Sequence, residues 1–460
     1  MASAAERRAD AVFTIERRGI EAVPSEERHG RPRDLGFLWA GAFTDYASVL
    51  TASLLTSYFG LGLGDAFGAL VIGTVLGAVV LGLLSNTGVR TGLPQVPYAE
   101  RVFGRAWMRV AAVLTLLAAV GWFAVDTVIA SQAGVQLVAA FGAAGLAAKL
   151  TLPLVLLISA VSVLVAVLGH NAIQFVERWG VLAFAVIVGI VFVALAPQVH
   201  WAMPATTTGG AHVGGFLLGA MTCFALVASW YPFVGDYARY LPEGSSPARV
   251  ALWPAVGVTA ALGLFGLFGL LLTTVDPKLA ASNGGVLAVI THHAPLWVAV
   301  PFFLFVLCGE IWSNYLDVYT AGLVAQAIGV RLRRWQTALG CGVIGALLAT
   351  YAVVIQDFHT AYEQFLLLSY LWMPAWAAIL LLAAQNRRSA GRRRKWVAIA
   401  SWVVATLVSL VFVNYPNVFP TLSHPFNQPL IDALHGADLS GVVSGVVAAV
   451  AFWTGERAGR

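Results

Sequence analysis

The chain has 460 residues, 59% of them hydrophobic and only 11% charged, with a net charge of +5 and a mean hydropathy of +0.81. A soluble domain carries about 25% charge, so this composition excludes a water-soluble globular protein and indicates a helical protein that crosses a bilayer many times. The basic excess sits in short loops and tails, which argues against a nucleic-acid face, and Cys223, Cys308 and Cys341 lie in apolar stretches as small packing residues rather than a disulfide framework or metal site.

Residues 1–34 are polar and arginine-rich, with no signal-peptide apolar core, and are expected to form a mobile cytoplasmic tail. Twelve apolar spans follow, at roughly 35–60, 64–85, 107–138, 148–169, 174–196, 214–238, 249–274, 295–328, 335–355, 361–384, 396–415 and 438–455. Placing the N-terminus in the cytoplasm puts every Lys and Arg inside except Lys149 and Lys278. So lopsided a split supports both the span count and the orientation, with both termini cytoplasmic in the plasma (inner) membrane.

The first span contains Gly41-Ala-Phe-Thr44-Asp45-Tyr46, a carboxylate and a threonine amid apolar residues. The third carries Trp122 and Asp126, four apart and therefore on one helix face. The sixth begins as a small-residue helix and then meets Ser229, Trp230, Tyr231 and Pro232. Pro232 lacks an amide hydrogen and clashes with the preceding turn, so the helix must kink or break there. Hydrocarbon does not tolerate the unpaired backbone groups of a break, so it is expected to face a protein interior or a wet cavity. An ordinary proline kink with no ligand is the other reading. The eighth span reads Cys308-Gly-Glu310-Ile-Trp-Ser313-Asn314-Tyr-Leu-Asp317-Val-Tyr319-Thr320, and the spacing of Glu310, Asn314 and Asp317 gives them one face.

A five-span unit used twice places its second copy upside down, and interruptions at corresponding positions of two halves point to a transport site. Spans one and six carry such interruptions. The expected division is therefore a tail (1–34), a first five-helix repeat (35–196), a second, inverted repeat (197–384), and two peripheral helices with a cytoplasmic tail (385–460).

Charged groups at membrane depth cost about 2.5–3.5 kcal/mol each and are functional candidates by default. On that ground Asp45, Asp126 and Glu310 are singled out. An aromatic beside a carboxylate suits a flat solute, since the ring stacks and the carboxylate accepts N–H donors. Plainer readings apply to other polar residues. Asp236 and Arg239 suit a structural pair, Asp317 suits a group neutral or paired inside the bundle, and Trp122 alone also suits packing. His170, His292 and His293 suit solvated positions, and Tyr362 and Glu363 a helix start. No metal-ligand spacing, nucleophile elbow or phosphate-cradling loop occurs, so energy would come from an ion gradient. A membrane-embedded enzyme is the remote alternative.

The loop before span three reads Gly88-Val-Arg-Thr91-Gly92-Leu93-Pro-Gln95, followed by Arg101-Val-Phe103-Gly104. It resembles the purine–cytosine permease branch of the nucleobase–cation symporter family, although Arg101 stands about one place nearer the Phe-Gly pair than the family pattern has it. Asp236-Tyr237-Ala-Arg239-Tyr240-Leu-Pro242, Trp122-Phe123, and Asn314 with Tyr319 resemble further family positions in the same order. The resemblance covers roughly residues 35–385. It implies an all-α membrane protein with a LeuT-type five-plus-five inverted repeat and two extra C-terminal helices. It also implies cation-coupled uptake of a purine, pyrimidine or related planar nitrogen heterocycle. Trp122 would stack on the base, Asp126 would take the place of a hydrogen-bonding glutamine, and Asn314 would bind the base edge. Phe224 or Trp230 would cover the other face, and Ser229 and Asp45 complete the expected substrate-binding set.

Sodium-using relatives supply hydroxyls from span eight, where this chain has Cys308, Gly309 and Glu310. Hard cations want oxygen, so thiol and glycine serve poorly. Glu310, with Gly41, Thr44 and Ser313, is the expected coupling-ion group. The ion is H+ or Na+, and the reading leans to the proton carried on Glu310. No cofactor and no nucleic-acid partner is expected; the partners are the heterocycle, the coupling cation and the bilayer. Uptake of an amino acid or other small polar solute on the same fold is the alternative, against which Asp45 near the first break argues.

Overall fold

The computed structural model describes residues 19–168, 170–281, 285–355, 371–385, 391–414 and 427–458. Those residues are helical, joined by turns and short loops. The first span is two helices, α1 (Pro32–Ala42) and α2 (Tyr46–Ser57), with Phe43, Thr44 and Asp45 between them. Asp45 makes this break. Its backbone is extended, and its side chain accepts the Ser48 N–H at 2.8 Å, so it acts as the N-cap of α2. Then come α3 (Leu63–Thr91), α4 (Arg105–Ala140), α5 (Ala144–Leu168) and α6 (His170–Leu195).

The sixth span repeats the interruption. After α7 (Gly209–Ala228) the chain passes through Ser229 and Trp230 into a 3-10 turn at Tyr231–Phe233, and α8 (Val234–Ala238) resumes. Pro232 sits inside that turn, where its missing N–H costs no helical hydrogen bond. The remaining helices of nine residues or more among the described residues are α9 (Pro247–Val275), α10 (Gly285–His293), α11 (Leu296–Ile328), α12 (Arg334–Ile355), α13 (Met373–Gln385), α14 (Arg392–Ser409) and α15 (Ser440–Arg457).

Two groups of helices face each other. In one, α3 packs along α9 and α7, and α9 also packs on α1 and α2. In the other, α4 lies along α11, flanked by α5 and α12. Elements five spans apart (α3 with α9, α4 with α11, α5 with α12) are thus neighbours, as two inverted copies of one unit would be. α14 and α15 pack on each other outside this core. Trp402 of α14 closes the join, its ring 5.4 Å from Phe103 and its indole N–H donating to the Trp372 carbonyl at 3.2 Å.

Eight helices among the described residues are long and apolar enough to cross a membrane. The first span is not among them because its break leaves pieces of 11 and 12 residues. Of the tenth span, residues 361–370 lie outside the described ones, and its helix is seen as Met373–Gln385. Tyr362 and Glu363 lie outside the described residues, as does the side chain of His170. Two expectations change. The tail is not free from Gly19 onward: Val23 N–H donates to the Gly92 carbonyl at 3.0 Å and His29 N–H to the Tyr240 carbonyl at 2.6 Å. His293 is not merely solvated, since its Nε2 lies 3.1 Å from an Asp276 oxygen.

Candidate functional site

The first break meets α11 in the interior, with Asp126 of α4 beside it. Glu310 of α11 places Oε1 2.6 Å from the backbone nitrogen of Tyr46 and accepts its N–H. This is one of the donors that the start of a helix leaves without an intrahelical partner. The close approach depends on Gly309: a Cβ there would stand 2.7 Å from the Thr44 carbonyl oxygen and 3.3 Å from the Asp45 Cα. Thr44 Oγ1 donates to the Ala40 carbonyl at 2.7 Å, and the Gly41 carbonyl accepts the Thr44 N–H at 2.8 Å. Both expected cation ligands on this segment are thereby engaged in finishing α1.

Asp126 of α4 faces Ser313 and Glu310 of α11 and lies within electrostatic reach of Asp45. Asp317, two turns below Glu310, is in reach of Asp126 and Asp45. None of the four carboxylates is more than 5% exposed, and among the described residues none has a basic partner. Asn314 Nδ2 donates to Thr127 Oγ1 at 2.9 Å, which ties the helix face of Glu310 and Asp317 to the turn of α4 carrying Asp126. Trp122 is buried one turn away on α4.

From the other break, Trp230 packs its ring edge-on to Trp39 with centroids 5.7 Å apart, and lies 6.2 Å from Phe43. The two breaks therefore share one aromatic wall. Phe224 packs edge-on against Tyr231, and the Ser229 hydroxyl donates to the Leu226 carbonyl at 2.8 Å, finishing α7. Asp45, Asp126, Glu310, Ser313, Asn314 and Asp317 form one cluster, and Trp230 reaches its edge through Phe43. Phe224 and Ser229 belong to the break itself.

The sequence reading missed Thr127, Trp39 and the backbone of Tyr46. Thr127 follows Asp126 directly and was available as a polar residue at membrane depth. The Tyr46 N–H carries no side-chain signature.

At the end of the bundle where α3 meets α8, the Gly88–Gln95 stretch acquires a physical account. Gly92 ends α3 with φ of 68°, a conformation that side chains resist. A Cβ on Gly88 would meet the Gly235 carbonyl at 2.7 Å, so the glycine lets α3 touch α8. Gln95 donates its backbone N–H to Asp236 at 2.8 Å, and its side-chain oxygen accepts from Thr87 Oγ1 at 2.8 Å. Asp236 also accepts from Thr320 of α11 at 2.7 Å. Asp236 and Arg239 are structural, as expected, but through separate partners: Arg239 donates to the Gly19 carbonyl at 2.7 Å and to the hydroxyls of Tyr240 and Tyr319, both at 3.2 Å.

The profile of the family described as permease for cytosine/purines, uracil, thiamine, allantoin matches residues 22–447. The chain belongs to this permease family. It is 24% identical to a putative purine-cytosine permease of Bacillus subtilis, over 95% of each chain. It is 25% identical to a purine-cytosine permease of Emericella nidulans, over 82% of this chain and 74% of the relative. Among solved structures, Mhp1, a nucleobase-cation-symport-1 family transporter in a closed conformation with bromovinylhydantoin bound, superposes with a TM-score of 0.71 at 17% identity. That match covers 95% of this permease and 94% of Mhp1. The permease thus has the LeuT-type fold that the sequence resemblance implied, and it is an integral membrane transporter rather than an enzyme.

Proposed function

We propose that the permease imports a purine, pyrimidine or related planar nitrogen heterocycle by cation symport. The solute lies between the two breaks and the facing turns of α4 and α11, and alternating access exposes it to each side in turn. The observation that carries this reading is the meeting of Asp126, Ser313 and Glu310 beside the Asn314–Thr127 bond, at the level where both helices break. Trp122 stacks on the ring, Asp126 and Asn314 bind its edge, and Trp230 with Phe224 covers the second face. Ser229 and Asp45 complete the rim. Solute and cation together shift the balance between outward-open and inward-open states, which requires only unequal affinity for the two.

The coupling ion in this reading is the proton, carried on Glu310 opposite Asp126. Four carboxylates without a basic partner call for positive charge, and Cys308 and Gly309 offer no hard oxygen side chain for sodium. Thr44, Gly41 and Ser313 position the carrier. The amino-acid alternative is disfavoured by the first break. The half-helix N-terminus that would receive an anionic solute group is occupied by Glu310 at Tyr46 and by Asp45 at Ser48. The repeats are taken as 35–196 and 197–384, with 385–460 peripheral and both termini in the cytoplasm of a cell whose inner membrane holds the protein.

The test is uptake by proteoliposomes loaded with the purified permease, across a panel of nucleobases, hydantoins, ring vitamins and amino acids. Accumulation of a ring compound driven by an inward proton gradient and indifferent to sodium supports the reading. Sodium-driven accumulation removes the proton assignment, and accumulation of amino acids alone removes the heterocycle.

A further inference from the structure

Away from the helix breaks, the peripheral pair α14 and α15 carries a pattern that the transport site does not use. Each helix presents an exposed aliphatic stripe that ends in an exposed tryptophan. On α14 the stripe runs from Leu407 through Val404 to Trp396, which is 58% exposed. On α15 it runs from Val446 through Val450 to Trp453, which is 48% exposed. The two tryptophans stand at the same end of the pair, because Arg394 forms an ion pair with Glu456 there and lays its guanidinium over the Phe452 ring. Exposed aliphatics that stop at a tryptophan mark the depth where hydrocarbon gives way to lipid headgroups. The layer just beyond the tryptophans is therefore at headgroup depth.

That layer is basic. α14 opens with Arg392, Arg393, Arg394 and Lys395, immediately before Trp396. The same helix packs on the short helix Glu100–Phe103. A Cβ on Gly104 would stand 3.5 Å from Lys395 Cδ, and Arg101 and Arg394 are both within electrostatic reach of Tyr98. The start of α14 and residues 100–104 thus form a corner, with Arg101, Arg392 and Arg393 exposed around it. The acidic residues of these segments are Glu100 and Glu456, and Glu456 is taken by Arg394. Among the described residues Arg101, Arg392 and Arg393 have no salt-bridge partner. The cations at the start of α14 also face the positive end of the helix dipole, so their own helix does not offset them.

We infer that this corner binds the headgroup of an anionic phospholipid. Arg101, Arg392 and Arg393 hold the phosphodiester, and the acyl chains lie along the stripes that end in Trp396 and Trp453. Lys and Arg clustered just beyond a membrane span attract anionic headgroups, each residue strengthening association by about fivefold. Arginine suits the role because its planar fork engages phosphate oxygens in pairs. Depth favours a lipid over a soluble anion, since the cations begin at the residue next to Trp396. Bound there, the lipid bridges α14 to the segment that leads into α4, and so ties the peripheral pair to the transport core.

The test uses the full-length permease in a neutral detergent. Phosphatidylglycerol is compared with phosphatidylcholine of the same acyl chains, by native mass spectrometry and by thermal stabilisation, which reads ligand binding to the folded state. Phosphatidylglycerol should bind at least about tenfold more tightly and raise the melting temperature more. The triple variant Arg101→Gln, Arg392→Gln, Arg393→Gln should weaken phosphatidylglycerol binding about a hundredfold, and each single variant about fivefold. The single variants keep the test decisive if the triple variant folds poorly. Arg249→Gln removes an exposed arginine at the start of α9 and, at physiological salt, should change binding by less than about twofold. Equal binding of the two lipids overturns the inference. An equal loss in Arg249→Gln also overturns it, because the attraction then belongs to the basic surface as a whole. Full stabilisation by inorganic phosphate alone does so too, because the corner is then a site for a soluble anion.

Discussion

Glu310 accepts the backbone N–H of Tyr46 across 264 positions of sequence, at 2.6 Å, and so joins α11 to the first turn of α2. The contact gives a buried carboxylate two jobs. One oxygen caps a half-helix, and the other has no hydrogen-bond partner and faces the cluster with Asp126. Any change of charge at Glu310 is felt directly at the hinge between α1 and α2, which is how loading of a cation would be communicated to a moving helix.

Separating the two jobs is possible by substitution. Glu310→Gln keeps an oxygen for Tyr46 and removes the charge, so folding and ring binding are expected to persist while accumulation driven by a proton gradient is lost. Glu310→Ala also orphans the Tyr46 N–H, and about 1–3 kcal/mol of stability should go with it. Melting curves and uptake assays on the two variants distinguish these outcomes. Full gradient-driven uptake in Glu310→Gln would end the proton-carrier assignment.

Gly309 is the second point of contact with the hinge. A methyl group there meets the Thr44 carbonyl oxygen and the Asp45 Cα, both backbone atoms that cannot swing aside. Gly309→Ala should therefore push α11 away from the break, with an overpacking cost of about 1–3 kcal/mol and a fall in transport rate of at least about tenfold. Cys308→Ala, one position away and half-buried, serves as the comparison and should transport normally. Equal rates in the two variants would mean that the close approach is not needed during the cycle.

Much of this arrangement was legible in the sequence, and the parts that were not share a cause. Pro232 announces its break because the defect is local, and Glu310, Asn314 and Asp317 share a face by spacing alone. The partners of these groups are another matter. Glu310 binds a backbone amide, Asp236 the Gln95 amide, and Arg239 the Gly19 carbonyl, and main-chain groups are the same whatever the residue. Asp45 was picked out as a charge at membrane depth, but its capping of α2 requires knowing first that the span is broken. The tail was read as mobile because its composition is polar, whereas its docking runs through backbone atoms of Val23 and His29 that composition does not report.

Outside the membrane-spanning helices, Asp276 holds two elements of the connection between α9 and α11. It caps the short helix Pro277–Ala280 by accepting the Leu279 N–H at 2.9 Å, and it meets His293 at the end of α10. The Leu279 amide first, and then His293, hold its carboxyl below the ordinary value of 3.8. A group depressed in the folded state stabilises fully above its unfolded value, and that stabilisation is lost as pH falls through the folded value. Amide exchange at Leu279, corrected for intrinsic rate, should therefore stay protected from neutral pH down to the ordinary carboxylate range and open only below 3.8. Loss of protection well above that range instead would mean that the Asp276 carboxylate is not what holds the Leu279 amide.

Arg239 should act as the anchor of the docked N-terminal segment. Its guanidinium is fully buried and reaches Gly19 in the N-terminal segment and Tyr319 on α11, while Arg28 of the same segment donates to the Val89 carbonyl at 2.8 Å. The segment thus straps α3, α8 and α11 together at one end of the bundle. A lysine presents a compact charge and cannot span this fork of acceptors, so Arg239→Lys and Arg239→Ala should both release the strap. Each hydrogen bond to a charged donor contributes about 1.5–3 kcal/mol, so the open population should rise by at least about tenfold. Tryptic cleavage after Arg28 reads that population when opening is fast relative to cutting. Cleavage in inside-out vesicles should accelerate by the same factor in both variants, and slow again on adding a ring solute that favours the closed state. Unchanged cleavage in Arg239→Ala would place the anchor in the Val23 and His29 backbone bonds, with Arg239 serving α8 alone.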